Sequence, residues 1–438
     1  METSDRFERC GAGSSPSEAH CGGWGGSWLG WREPRDVTDD TFVMSCHGNR
    51  DAIWFLCCLR GRLFGILIRK RKMSKKRVVV AMSGGVDSSM AAVLLKERGY
   101  DVIGVTMDIF GIPWEFCQEE SLHSCCGRGA KADAIRVAVH LGIPHYIVDL
   151  KRSFSKWVVA DFCEEYKKGH TPNPCIRCNQ HIKFDALWKK AKKLGADFLA
   201  TGHHARVVRD EKSGRYLLLK GKDPEKDQSY FLYTLTQAQL MRTLMPIGDF
   251  TKKDVRKKAK QVGLPVHQRP ESQEICFIPD NDYTRFLKQR IPEAFQTGPI
   301  VDKKKHVLGQ HNGILHFTIG QRRGIGIAAS HPLYVLEIQS DENKIVVGSS
   351  DHLYKKKVLL TDVNLIMKDE IDAPTPVKAK IRHKHREAKA VLISLGKNHV
   401  CLDFRNPQRA ITPGQSAVFY DGEEVVGGGI ITDRIDRK

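Results

Sequence analysis

Three stretches of this chain carry residue types and spacings that can do chemistry. The first is Ser83-Gly84-Gly85-Val86-Asp87-Ser88-Ser89. Paired glycines let a backbone approach a ligand closely, and hydroxyls beside the open N–H groups of a first helical turn suit phosphate or pyrophosphate. It is not a Walker loop, because no Gly-Lys-Ser/Thr follows at the spacing that reaches terminal phosphates. The plain alternative is a glycine turn with an Asp or Ser cap. The second stretch is Gly169-His170-Thr171-Pro172-Asn173-Pro174-Cys175-Ile176-Arg177-Cys178-Asn179. Its prolines stiffen a loop leading to a helix expected to begin near His181. Cys178 then lies close to a helix N-terminus, with Arg177 beside it and Lys183 a little further on. All three influences favour the thiolate. The third stretch, Glu271-Ser272-Gln273-Glu274-Ile275-Cys276-Phe277-Ile278, holds a single cysteine between polar and apolar runs.

These groups need elements to position them. The apolar run 78–82 reads as a buried strand feeding the glycine turn, and helical apolar spacing follows over 90–96. Strands are expected at 102–105, 145–148 and 198–200, and helices at 130–141, 153–166 and 181–194. Strands separated by helices imply an α/β fold with a doubly wound parallel sheet. Ligands collect at the carboxyl ends of such strands, where the glycine turn, Met107 and Thr201-Gly202-His203-His204 all fall. Two more helices are expected at 251–262 and 282–291. Beyond about residue 298 short β-rich runs take over, at 313–317, 334–338 and 344–347, and turns such as Thr412-Pro413-Gly414 and Asp421-Gly422 recur. The expected organisation is an atypical extension over 1–72, disordered or a mis-assigned start; a catalytic domain over 73–281; a small β-rich central domain over 282–352; and a C-terminal β-barrel over 353–438.

Composition narrows the partners. The chain has 438 residues, 41% hydrophobic and 28% charged, as in a globular protein of two or three domains. Its formal net charge is +19, yet residues 1–72 hold 11 Lys/Arg against 9 Asp/Glu, so the surplus belongs to 73–438. A basic body suits a polyanion, most simply nucleic acid, or is only a generic basic surface. The 13 cysteines are scattered without a secretory signal, which argues against a disulfide framework and for a reducing cytoplasm. The apolar stretch 53–68 is interrupted by Arg60 and Arg62, too short and too charged for a membrane span. Translation is expected to begin at Met73; a transit peptide is the rival reading, against which Glu2, Asp5, Glu8 and Glu18 count.

The SGGxDS pattern resembles the PP-loop of ATP pyrophosphatases, which split ATP between the α and β phosphates and leave an adenylated substrate. After it come TPNPCIRCNQHIKF, TGHHAR, KDQSYFL, SQEICFI, TIGQRRGIGI and TPGQSAVFYDGEEVVGGGII. In this order they resemble the bacterial tRNA-specific 2-thiouridylases, from about Met73 to near the C-terminus. The resemblance implies that ATP adenylates the 2-oxygen of a wobble uridine and that sulfur from a protein persulfide replaces it. By motif, Cys178 is implied as the nucleophile and Cys276 as the persulfide carrier, with a transient Cys178–Cys276 disulfide closing the cycle. Ala81, Met82, Ser83, Gly84, Gly85, Val86, Asp87, Ser88, Met107 and Gly202 are implied to line the ATP site, with Mg2+ neutralising the phosphates. The implied tRNA contacts are Asn173, Pro174, Cys175, His203, Lys226, Asp227, Gln228, Arg382, His383 and Gln415. A sulfur donor, a cysteine desulfurase or relay protein, is the implied second partner.

Cys175 departs from the pattern, since many members carry aspartate there. With Cys125-Cys126 it makes a cysteine-rich variant, and three readings stay open. These are thiol chemistry alone, an iron–sulfur cluster on Cys175, Cys178 and Cys276, or zinc. Other readings of the whole are a different PP-loop adenylating enzyme or tRNA thiolase, or a metal-bearing RNA-binding protein without turnover.

Overall fold

The computed structural model describes residues 75–109, 128–270, 275–396 and 398–433, with the backbone of four short strands upstream. Cys125-Cys126 lies outside the described residues. Residues 11–75 form one compact unit, in which Ser45–Asn49, Ala52–Leu59 and Arg62–Arg69 pair as an antiparallel sheet. Residues 76–438 and the first ten form the other unit.

That second unit opens with β1 (Arg77–Ala81), α1 (Val86–Glu97), β2 (Asp101–Asp108), α2 (Arg128–Leu141) and β3 (His145–Asp149). Two long helices follow. In α3, Lys151–Phe154, Ser155–Val159 and Ala160–Lys167 run on as one helix. In α4, Pro174–Arg177, Cys178–Ala186 and Leu187–Lys193 do the same, and both helices pass through wide i→i+5 turns at their middles. Next come β4 (Phe198–Ala200), the hairpin β5 (Ala205–Arg209) and β6 (Tyr216–Lys220), then β7 (Thr243–Leu244), α5 (Lys252–Gln261) and α6 (Tyr283–Arg290).

Strands β3-β2-β1-β4-β7 lie side by side, all parallel, with Val79 between Ile103 and Leu199; Glu8–Arg9 adds an antiparallel edge on β3. Alternation along β1 explains the layers: Val78 and Val80 join a core with Met90, Leu95 and Val137, while Val79 joins one with Val148, Phe154, Phe162 and Ile182. Helices thus cover both faces, and each such valine contributes about 1.5–3 kcal/mol by leaving water. Chain order reverses between β1 and β4, which opens a crevice at their carboxyl ends.

The central domain is a four-stranded sheet of β8 (Gly298–Val301), β9 (Val307–His311), β10 (Tyr334–Gln339) and β11 (Lys344–Gly348), in the order β9-β8-β11-β10. The run 313–317, expected as a strand, is instead a 3₁₀ turn over Ile314–His316. Ile314, Leu315 and Phe317 are apolar because the turn is buried, so alternation was not its cause.

The last domain holds β12 (Tyr354–Leu365), β13 (Thr375–Lys380), β14 (Ala388–Ser394), β15 (Val400–Arg409), β16 (Ser416–Asp421) and β17 (Glu424–Thr432). Pairing of β17 with β12, Leu360 opposite Ile431, closes these six into a barrel. The β5–β6 hairpin of the parallel-sheet domain continues the barrel sheet, with Leu219 of β6 opposite Glu424 of β17. A Cβ on Gly428 would come within 2.6 Å of the Tyr233 ring, so β17 needs glycine where it crosses that domain. Among the described residues no helix is long and apolar enough to cross a membrane.

Candidate active site

The crevice between β1 and β4 is a cavity of about 260 Å³, walled by Ala81, Met82, Ser83, Gly85, Val86, Asp87, Ser88, Met107 and Gly202. Its shape depends on two glycines. Gly84 takes φ +70°, and a Cβ there would strike the Ala130 carbonyl and lie 2.9 Å from the Arg269 guanidinium. A Cβ on Gly202 would sit 2.5 Å from the Ser88 nitrogen, so β4 could not end against α1. The N-terminus of α1 has no side-chain cap, whereas Thr251 caps α5 and Asp282 caps α6. Ser88 and Ser89 instead turn their hydroxyls back to the Gly85 carbonyl, at 3.2 and 2.8 Å. The open N–H groups belong to residues that wall the cavity, the arrangement that favours an anion.

Charge in the cavity is arranged around Asp87. Its carboxylate accepts from Lys252 Nζ at 2.6 Å and meets His204 Nε2 at 3.3 Å. Burial opposes its ionisation, but the His204 hydrogen bond and the Lys252 charge outweigh that and hold the carboxyl below its ordinary pKa. His203 is buried, with Nδ1 2.8 Å from Thr201 Oγ1 and Nε2 3.5 Å from Lys183 Nζ. Burial, then the Lys183 charge, push its imidazole well below the usual value, so it is neutral. Lys183, Lys226, Lys252 and Arg269 line the same space, and Asp87 is the one carboxylate among the described lining residues. Such an array of cations and open N–H groups can hold an anionic ligand.

Lys252 and Arg269 were missed in the sequence. Lys252 is the first residue of a capped helix, and nothing local aims it at Asp87, 165 positions away. Arg269 binds the Gly84 carbonyl at 3.1 Å and pairs with Asp133, a long-range role no motif signals.

The cysteine segment differs from its expectation. Helix α4 starts at Pro174, not near His181, because proline is favoured at the first helical position and its missing N–H costs nothing there. Cys175 therefore occupies the first turn and is exposed, while Cys178 lies a turn deeper and is buried. Arg177 faces Asp161, with a 3.2 Å contact. Cys276 sits in a turn and is partly buried. The adjacent Phe277 packs edge-on against Phe154 and Phe162 of α3, at 5.7 and 5.4 Å between ring centroids. Helix α3 also packs against α4, so both cysteine segments share one supporting helix. Among the described residues no three His, Cys, Asp or Glu side chains converge as metal ligands, so Cys175, Cys178 and Cys276 do not form a ready cluster site.

The implied RNA contacts divide into three groups. Lys226, Gln228 and His203 all line the cavity between β1 and β4. Asp227, His383 and Gln415 join domains. The buried Asp227 carboxylate accepts from Gly221 N, Ser229 N and Ser229 Oγ at 3.0–3.1 Å. His383 Nε2 lies 3.3 Å from the Asp227 carbonyl, with its ring 4.4 Å from that of Phe231. Gln415 Nε2 donates to the Thr171 carbonyl at 2.8 Å, tying the barrel to the loop before α4. Asn173 precedes that helix, Pro174 is buried in its first turn, and Cys175 and Arg382 are exposed.

Three family models cover the chain in succession: a tRNA methyl transferase HUP domain over residues 76–280, a tRNA methyl transferase PRC-barrel domain over 284–349 and an aminomethyltransferase β-barrel domain over 355–431. The tRNA-specific 2-thiouridylase MnmA of Acetivibrio thermocellus is 49% identical over 362 residues, 82% of this chain and 100% of that protein. The enzyme of the same name from Halothermothrix orenii is 49% identical over 357 residues, 82% of this chain and 99% of its own. That of Clostridioides difficile is 48% identical over 357 residues, 81% and 98% of the two chains. A solved 4-thiouridine synthetase–RNA complex with bound ATP aligns loosely, at 19% identity and a TM-score of 0.31, over 59% of this chain and 60% of that one. With nearly the whole length of such relatives matched at about half identity, this chain belongs to the tRNA-specific 2-thiouridylase family.

Proposed function

We propose that this protein is an ATP-dependent sulfurtransferase that converts the 2-oxygen of a tRNA wobble uridine to sulfur. The observation that carries the reading is the crevice between β1 and β4, where an uncapped helix N-terminus and four cationic side chains surround one carboxylate. A carbonyl oxygen is a poor leaving group, and AMP is a good one. ATP bound with its phosphates against Ser83–Ser88 presents the α-phosphate to that oxygen. Pyrophosphate leaves toward Lys252 and Arg269, whose charge counters what develops there. Met107 and Gly202, apolar and without Cβ, suit the flank of an adenine or ribose.

Mg2+ fits this site in a limited way. It commonly uses one or two carboxylates plus substrate phosphates, and Asp87 is the available carboxylate once Lys252 has a phosphate to pair with. Bound there, the ion would neutralise phosphate charge. An iron–sulfur cluster on Cys175, Cys178 and Cys276 does not fit the described side chains.

In the sulfur half of the cycle, Cys276 carries the persulfide and the Cys178 thiolate attacks its inner sulfur. The Cys276–sulfane bond breaks, a Cys178–Cys276 disulfide forms, and hydrosulfide departs. Hydrosulfide then adds to the activated C2 and expels AMP. The two cysteine segments share the support of α3, which favours their meeting. Exposed Arg382, Lys384 and Arg386 on the barrel suit tRNA phosphates. A cysteine desulfurase or relay protein is the expected sulfur source.

Incubating the full chain with unmodified tRNA, ATP, Mg2+ and a persulfide donor tests this. Nucleoside mass spectrometry should find 2-thiouridine, formed with AMP and pyrophosphate. ADP and phosphate as the products, or thiolation without ATP, would refute it.

A further inference from the structure

Building on the persulfide reading above, we propose that Cys175 is the resolving cysteine of this enzyme: it takes over the buried disulfide left by sulfur transfer and presents it to an external dithiol protein. Cys175 and Cys178 stand at i and i+3 in α4, and only the first is exposed; Cys178 is at 8%. The first turn of the helix is α-helical and carries i→i−3 bonds beside the α-helical ones. The Ile176 N–H donates to the Asn173 carbonyl at 3.2 Å, and the Cys178 N–H reaches the Cys175 carbonyl as well as that of Pro174. Bonds of this i→i−3 kind bring side chains three apart toward eclipse. Residues at i and i+3 share a helix face with β-carbons about 5–6 Å apart, so a modest tightening of this turn brings them to the roughly 3.5–4.5 Å a disulfide spans. Beyond Cys178 the helix widens into i→i+5 turns, so the residue sits where the winding changes and small adjustments are cheap. The loop before the helix is fixed from outside, because Thr171 N donates to the Pro413 carbonyl at 2.9 Å and Gln415 holds the Thr171 carbonyl.

The burial pattern supplies the need. Sulfur transfer ends with Cys178 bonded to Cys276, one sulfur buried and the other partly so. A protein reductant must touch a sulfur to attack it, and rates of exchange follow access. Cys175 is the exposed thiol, one helical turn from Cys178. Its thiolate attacks the Cys178 sulfur; the Cys175–Cys178 bond forms, the Cys178–Cys276 bond breaks, and Cys276 leaves as a thiolate that takes up a proton. No net electrons move in that exchange. A dithiol protein then attacks Cys175 and delivers two electrons and two protons, leaving as its own disulfide with both enzyme thiols restored.

The test compares wild type with Cys175→Ser in the full chain. Each is loaded with persulfide and given unmodified tRNA and ATP, and first-turnover and steady-state rates are measured with thioredoxin as reductant. The ratio of the two rates cancels any change in tRNA affinity. It should fall about tenfold or more in Cys175→Ser and recover with a small trialkylphosphine. Alkylation and peptide mapping without reductant should find Cys175–Cys178 in wild type and Cys178–Cys276 in the variant. An unchanged ratio, or Cys178–Cys276 as the sole wild-type disulfide, would overturn the resolving role. First-turnover thiolation by Cys178→Ser would overturn the persulfide reading itself, a separate result.

Discussion

At the carboxyl ends of β1 and β4 the protein has already matched its charges: Asp87 is held by Lys252 and His204, Arg269 clasps the glycine turn, and Gly202 lets strand meet helix. Around Cys178 and Cys276 the surroundings are aromatic and aliphatic, and among the described residues no metal-ligand set gathers there. The first region is preorganised for electrostatic work, in which fixed dipoles and cations stabilise developing charge without rearranging. The proposed mechanism asks the second to move, since sulfur would pass from one segment to the other. On that proposal, activation uses fixed charges and transfer uses a change of position, within one domain.

The hardest blow to this contrast is Cys178→Ser. Thiolation should fall by about three orders of magnitude or more, while tRNA-dependent pyrophosphate exchange with ATP survives. Loss of both activities together would mean that the two regions are not separable. Gly202→Val attacks the other half. Its side chain displaces the start of α1, and pyrophosphate exchange should drop about a hundredfold, as misplaced reacting groups do. Lys252→Ala is gentler, at about tenfold in the same assay. It also removes a cation that depresses the Asp87 pKa, so Asp87 should protonate at higher pH and the acid limb of the exchange profile should shift upward. An unmoved limb would show that Asp87 does not set it.

Stability gives a finer probe. His145 Nε2 lies 2.9 Å from Thr106 Oγ1, which donates to the Met82 carbonyl just before the glycine turn. Its Nδ1 is buried without a hydrogen-bond partner, and burial lowers its pKa to about 4 from 6.5. The unfolded chain therefore binds the proton first. The neutral histidine's full contribution is present above about pH 6.5 and is lost as pH falls toward about 4. Urea titrations should show His145→Asn with a flatter pH dependence in that window; an unchanged slope would contradict it. The smallest effect is expected from Gln415→Ala, about 1 kcal/mol or less from one interdomain hydrogen bond, read by the same titrations.

Much of the first region was legible because its signals are local. The apolar 78–82 run, the glycine pair and the Thr201-Gly202 strand end each announce themselves over a few residues. The parallel order followed from alternation of strands and helices. The cations were not legible, because Lys252 reaches Asp87 across 165 positions and Arg269 reaches Gly84 across 185. In the second region local reading placed the helix start about two turns too late. Pro172 and Pro174 looked like loop stiffeners, yet Pro174 is a helix starter, so Cys178 lies buried inside the helix rather than ahead of its N-terminus. The 313–317 run misled because a buried turn needs apolar residues as much as a strand does. Nor could sequence show that Asp227, His383 and Gln415 hydrogen-bond across domains, since those partners are set by tertiary contact alone.

The central claim is that ATP turns the uridine oxygen into a leaving group. Unmodified tRNA carrying ¹⁸O at the wobble uridine O2, thiolated by this protein with ATP and a persulfide donor, tests it most directly. Mass spectrometry should find the label in the phosphate of AMP, one atom for each thiouridine formed. Label released to water, with AMP unlabelled, would contradict it.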